Sequence, residues 1–124
     1  MKNELQKRLV QFSSKIIWLS NYLKSNSSAN HLYLQLVRSA TSAALNYGEA
    51  QSAESRKDFI HKIGIILKEV KETEINLEIL LEAKLFIRIQ PVNDALDECR
   101  QLLGIFITTR KTAIENDKRK REGC

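Results

Sequence analysis

Residues 55–82 read SRKDFIHKIGIILKEVKETEINLEILLE, and this stretch decides the fold. Phe59, Ile63, Ile66, Val70, Thr73, Leu77 and Leu80 recur at alternating spacings of four and three, which lines them along one helical face. Ile60, Leu67 and Leu81 widen the stripe. Ser55, three residues ahead of Asp58, resembles a capping box with Asp where Glu or Gln is usual, so the helix starts there. At about 100° per residue, Ile75, Ile79 and Phe86 point to the opposite side, with Ile65 at its edge. A lone bundle leaves that second face in water. Aligned exposed apolar residues mark contact surfaces, so these four are expected to join subunits of a homo-oligomer.

Working outward, Leu5, Leu9, Phe12, Ile16, Leu19 and Leu23 form an equally regular stripe upstream. The polar run from Lys24 to Asn30 interrupts it and should reverse the chain. Tyr33, Leu36, Ala40, Ala43, Tyr47 and Ala50 make a third stripe, broadened by Leu32, Val37 and Ala44, whose small residues allow close helix approach. Gly48 costs about 1 kcal/mol inside a helix, which weakens its last turn. Downstream, Pro91 suits a first helical turn and Asp94, Asp97 and Glu98 suit the positive end of a helix dipole. Val92, Leu96, Cys99, Leu103 and Phe106 then supply the fourth stripe.

The expected elements are helices at about 3–24, 30–50, 55–86 and 91–115, an all-α, antiparallel up-down-up-down four-helix bundle over residues 1–116. Residues 117–124, DKRKREGC, bury nothing and read as a basic flexible tail. A length of 124 residues suits one domain, and four Gly and one Pro suit long helices better than many-turned sheets. No apolar run approaches the roughly 18 residues that span a bilayer, and the first residues are charged and unlike a signal peptide, so no membrane association and a cytoplasmic location are expected. Cys99 and Cys124 offer neither a disulfide framework nor metal-ligand spacing. Cys99 falls on the core stripe, and Cys124 reads as a loose, reactive end.

Four glycines never closer than 16 residues apart exclude a glycine-rich phosphate loop. Neither His31 nor His61 has a local partner for general-base work, and no Glu stands three residues before either to make a di-iron ligand pair. No catalytic residue, metal site or cofactor is expected. Glu69, Glu72, Glu78 and Glu82 lie off the inner stripe and read as a solvated face. Glu74 falls between Val70 and Leu77 on the inner side, where a carboxylate must be paired, with Arg38 or Tyr47 as candidates.

The net charge of +5 is unevenly spread: residues 1–68 carry +6, residues 69–116 carry −3 and residues 117–122 carry +2. Basic patches attract phosphate without reading sequence. The candidate nucleic-acid contacts are Lys7, Arg8 and Lys15 on the first helix, Arg56, Lys57 and Lys62 at the start of the third, and Lys118, Arg119, Lys120 and Arg121 in the tail. No RNA-binding motif with an aromatic platform accompanies them.

The run QLVRSATSAALNYGEA at residues 35–50, with Glu54-Ser55, Asp58-Phe59-Ile-His-Lys62, Leu67-Lys68-Glu69 and Glu72, resembles the 23S rRNA intervening-sequence proteins. Many members have Pro-Ser-Asn ahead of a Glu-Gly; this chain has Ala44-Leu45-Asn46-Tyr47-Gly48-Glu49. The resemblance implies a four-helix bundle that assembles as a ring-like homopentamer and has no catalytic activity. It also implies a bacterial setting, within inserts of the large ribosomal RNA gene. The accessory variability determinant of diversity-generating retroelements is a relative, which implies RNA or DNA as one partner and a reverse transcriptase as another. The family's shared polar positions map onto Arg38, Asn46, Glu49, Glu69 and Glu72, which with Tyr47 and Glu74 are expected to fix the register of the bundle. Two functions are therefore open: a nucleic-acid-associated oligomer, or a protein-binding scaffold for a nucleic-acid enzyme.

Overall fold

The structure, a computed structural model, describes residues 2–123. Four helices fill most of it: α1 at Lys2–Trp18, α2 at Ser27–Gln51, α3 at Arg56–Glu82 and α4 at Gln90–Glu122. A 3-10 turn at Leu19–Tyr22 extends α1. No strand occurs among the described residues, only an isolated bridge between Leu23 and Phe86. The chain is an all-helical, four-helix bundle.

The stripes meet in one core. Leu9, Phe12 and Ile16 of α1, Leu36, Ala40 and Ala43 of α2, Ile63, Ile66, Val70, Leu77 and Leu80 of α3, and Val92, Cys99 and Phe106 of α4 are buried. Leu102 and Ala95, outside the fourth stripe, are buried as well because α4 packs against both α3 and α1. Each large apolar side chain placed there contributes roughly 1.5–3 kcal/mol, more than a typical surface ion pair. Tyr47 and Phe106 meet edge to face with ring centroids 5.5 Å apart. Polar atoms inside the core are paired: Ser13 Oγ donates to the Ala40 carbonyl at 3.2 Å, and the Ser39 and Thr73 hydroxyls share a 2.7 Å hydrogen bond. Gln6 Nε2 donates to the Ala44 carbonyl at 3.0 Å.

Local chemistry sets the ends. The Tyr33 hydroxyl lies against the carbonyls of Ile16, at 2.7 Å, and Ile17, satisfying acceptors that α1 leaves open where it tightens into the 3-10 turn. Asn26 caps α2 by accepting from the Ala29 amide at 2.7 Å, which starts that helix earlier than residue 30. Ser55 caps α3 by accepting from the Asp58 amide at 3.1 Å, as its spacing indicates.

Two expectations are corrected. The third helix stops at Glu82, not 86, in a Schellman turn: Leu85 N donates to Leu80 O at 3.1 Å and Lys84 N to Leu81 O at 3.0 Å, with Lys84 at φ 56°. Beyond it Lys24 N donates to Leu85 O at 2.8 Å and Ile87 N to Tyr22 O at 2.7 Å. This reversal folds Phe86 inward to 6% exposure, so Phe86 belongs to the core and not to a subunit contact. The second correction concerns the tail. α4 continues through residues 117–122, helped by the Arg121 guanidinium donating to Asp117 one turn earlier at 2.6 Å. Cys124 lies outside the described residues.

Candidate nucleic-acid interface

The expected cations fall into three groups. Arg8 is held by Glu98 through two hydrogen bonds of 2.7 and 2.8 Å and by Gln101 at 2.9 Å. This fork between α1 and α4 raises the Arg8 pKa, chiefly through the hydrogen bond to Glu98. Lys62 is paired with Glu49 at 2.7 Å. Both are therefore engaged within the bundle. Lys7 and Lys15 are exposed on α1 and line neither of the clefts described below.

The third group converges. Lys57 in the first turn of α3 and Lys118 and Arg121 near the end of α4 line one open cleft of about 480 Å³, floored by Ile60 and Ile114 and edged by Asp117 and Glu122. Arg56 lines a neighbouring cleft with Phe59, Ser55, Ala113 and Asn116. Arg119 and Lys120 are exposed on the same last turn. Neither Lys57 nor Lys118 has an ion-pair partner among the described residues. Ile60 flanks the third stripe of the sequence; Ile114 follows no stripe of the core, and its signal is the seven-residue step from the exposed Ile107.

Most of the polar positions make contacts between helices, whereas the hydrogen bond of Asn46 stays within α2. Arg38 of α2 donates to Glu69 at 3.0 Å and to Glu72 on α3. Glu69 is buried, so it does not belong to a solvated face. Glu74 is buried too, but its partners are neither Arg38 nor Tyr47: Lys71 Nζ stands at 2.8 Å and Arg100 Nε of α4 at 3.1 Å. The hydrogen bond from Lys71, helped by Arg100, holds the Glu74 carboxyl below its ordinary pKa. Asn46 Nδ2 donates to the Ser42 carbonyl at 2.9 Å. Tyr47 packs on Phe106, as described above.

On the far face of α3, Ile75 and Ile79 are 46% and 42% exposed, while Ile65 is half-buried. Gln35 of α2 flanks Ile75. Cys99 donates to the Val70 carbonyl at 3.5 Å, and burial pushes its thiol up to about 12. His31 and His61 are exposed. No group of three or more His, Cys, Asp or Glu among the described residues is placed to hold a metal. No helix among them is long and apolar enough to cross a membrane.

Comparison with known proteins places this geometry in context. No curated protein matches the chain. A solved structure from Bacteroides thetaiotaomicron VPI-5482, described as a protein with unknown function from the S23 ribosomal protein family, is similar at 32% identity and a TM-score of 0.78. The match covers 90% of this chain and 99% of that one. The sequence profile of the 23S rRNA-intervening sequence proteins matches residues 1–107, every helix but the final turns of α4. With the bundle and the contact of Arg38 with Glu69 and Glu72 inside the matched span, the chain belongs to the 23S rRNA-intervening sequence protein family.

Proposed function

We propose that this protein is a non-catalytic, self-associating bundle that binds nucleic acid, RNA foremost, through exposed basic surfaces. The observation that carries the reading is the convergence of Lys57, Lys118 and Arg121 on one cleft from two different helices. Phosphate attracts such a group without regard to sequence. Arg56 and Arg119 beside it extend the positive field, and Lys7 and Lys15 add a second, weaker patch on α1.

The helices are read as running up-down-up-down. Supporting this, contacts pair early α1 with late α2 and late α1 with early α2, as Gln6 with Ala44 and Ile16 with Tyr33. Glu49 with Lys62 and Arg38 with Glu69 follow the same inverse order between α2 and α3. Self-association, with a homopentamer favoured, is supported by the exposed Ile75 and Ile79, which a monomer leaves in water.

The binding test is fluorescence anisotropy of labelled RNA between about 50 and 200 mM salt, the range over which phosphate contacts weaken steeply. Affinity that falls log-linearly with salt supports the reading. Absence of binding at the lowest salt contradicts it.

A further inference from the structure

The core of α4 ends at Phe106, since no residue from Ile107 to Gly123 is buried. The family match ends at the same place, residue 107. Yet the helix runs on through Glu122, fifteen further residues or roughly 22 Å at 1.5 Å per residue. That stretch carries Arg110, Lys111, Lys118, Arg119, Lys120 and Arg121 against three acidic residues. A helix of this length is marginal by itself, and only Thr109, Ala113 and Asp117 are half-buried along its inner side.

The start of α3, which the extension faces, departs from a local stability rule. Arg56 and Lys57 occupy the first turn of α3, where the helix dipole disfavours cations. The extension then sets Lys118 and Arg121 across the cleft from Lys57, three cations against the two carboxylates of Asp117 and Glu122, so the site keeps a positive excess. Departures of this kind from local stability rules concentrate at functional sites.

We infer that residues 108–122 of α4, with Lys57 and Ile60 of α3, form a clamp for the phosphodiester backbone of nucleic acid that is separable from the bundle itself. The inference rests on the nucleic-acid reading above and localises it. Lys57, Lys118 and Arg121 supply the cations, Asp117 steers the Arg121 guanidinium, and Ile60 and Ile114 give the apolar floor against which the strand lies. Phosphates bridging the two helix ends neutralise the positive excess that Asp117 and Glu122 leave and tie the extension to α3.

The test compares three full-length proteins for binding of a labelled oligouridine. One is the natural chain, one carries Lys57→Gln, Lys118→Gln and Arg121→Gln, and one carries Lys24→Gln, Lys68→Gln and Lys84→Gln, which removes equal charge elsewhere. The clamp variant is expected to lose affinity at least about tenfold at low salt, and its log-log salt slope to become shallower by about 2, the value for three lost phosphate contacts on a single strand. The control should stay within about threefold of the natural chain. The clamp variant loses the exposed Arg121–Asp117 pair, worth at most about 0.5 kcal/mol, so it should keep its helical circular-dichroism signal and melt within a few degrees of the natural chain, which shows that the loss is not unfolding. Equal losses in both variants, or none in the clamp variant, overturn the clamp while leaving nucleic-acid binding in place. Displacement of the RNA by polyglutamate at matched charge assigns the cleft to an acidic protein and overturns it as well. Failure of the natural chain to bind overturns both readings.

Discussion

Arg38 of α2 divides its guanidinium between two carboxylates one turn apart on α3, Glu69 through Nη1 at 3.0 Å and Glu72 through Nη2. The three residues differ in exposure: the Glu69 side chain is 9% exposed, Glu72 38% and Arg38 51%. The exposed cation thus serves the buried anion. Glu69 has little access to water if its partner leaves, whereas Arg38 has much.

The asymmetry predicts unequal effects at the two ends of the contact. Arg38→Ala strands a buried carboxylate and should cost about 1–3 kcal/mol, the penalty for an unsatisfied buried polar group. Glu69→Gln removes the charge and keeps acceptor capacity, so it should cost less. Urea denaturation of both variants checks the order.

Glu74 predicts a pH dependence. Its folded pKa lies below the ordinary 4.5, first through Lys71 and then through Arg100. A carboxylate depressed in the folded state adds stability that is complete above its unfolded pKa and lost as pH falls through the folded one. The stability difference between the natural chain and Glu74→Gln should therefore be largest near neutrality and shrink below pH 4.5. Parallel denaturation curves at neutral and acid pH measure it; a difference that grows on acidification contradicts the contact.

Lys84 sits at φ 56°, in the left-handed region that favours glycine, at the Schellman turn closing α3. Lys84→Gly should raise stability by up to about 1 kcal/mol. A loss of stability on thermal melting would show that the Lys84 side chain contributes more than its backbone costs.

Ile75→Lys with Ile79→Lys should leave the bundle folded, since both side chains are more than two-fifths exposed and exposed substitutions usually change stability by less than about 0.5 kcal/mol. Light scattering should show a multimer for the natural chain and a smaller species for the variant. A monomeric natural chain contradicts the self-association reading.

The helices were legible because they follow from local spacing. Ser55 caps α3 and the stripes from Leu9 to Phe106 reach the core, since both signals lie within a few residues of each other. Phe86 was not legible, because its direction depends on a turn at Lys84 and on pairing with Leu23, sixty-three residues away. The partners of Glu74 were missed for a related reason: periodicity says which side of a helix is inward, not which neighbouring helix stands opposite. The cleft was legible only in halves. Lys57 and the 118–121 run stood out as charge, but their meeting required α4 to remain helical where composition suggested a loose tail.

The most direct test of where nucleic acid sits is a lysine footprint: mild acetylation of the full-length protein with and without oligouridine at low salt, quantified at each lysine by mass spectrometry. The account predicts protection of Lys57 and Lys118, strongest of all lysines, with little change at Lys24, Lys68 and Lys84. Binding of the RNA with no protection at Lys57 and Lys118 would contradict it.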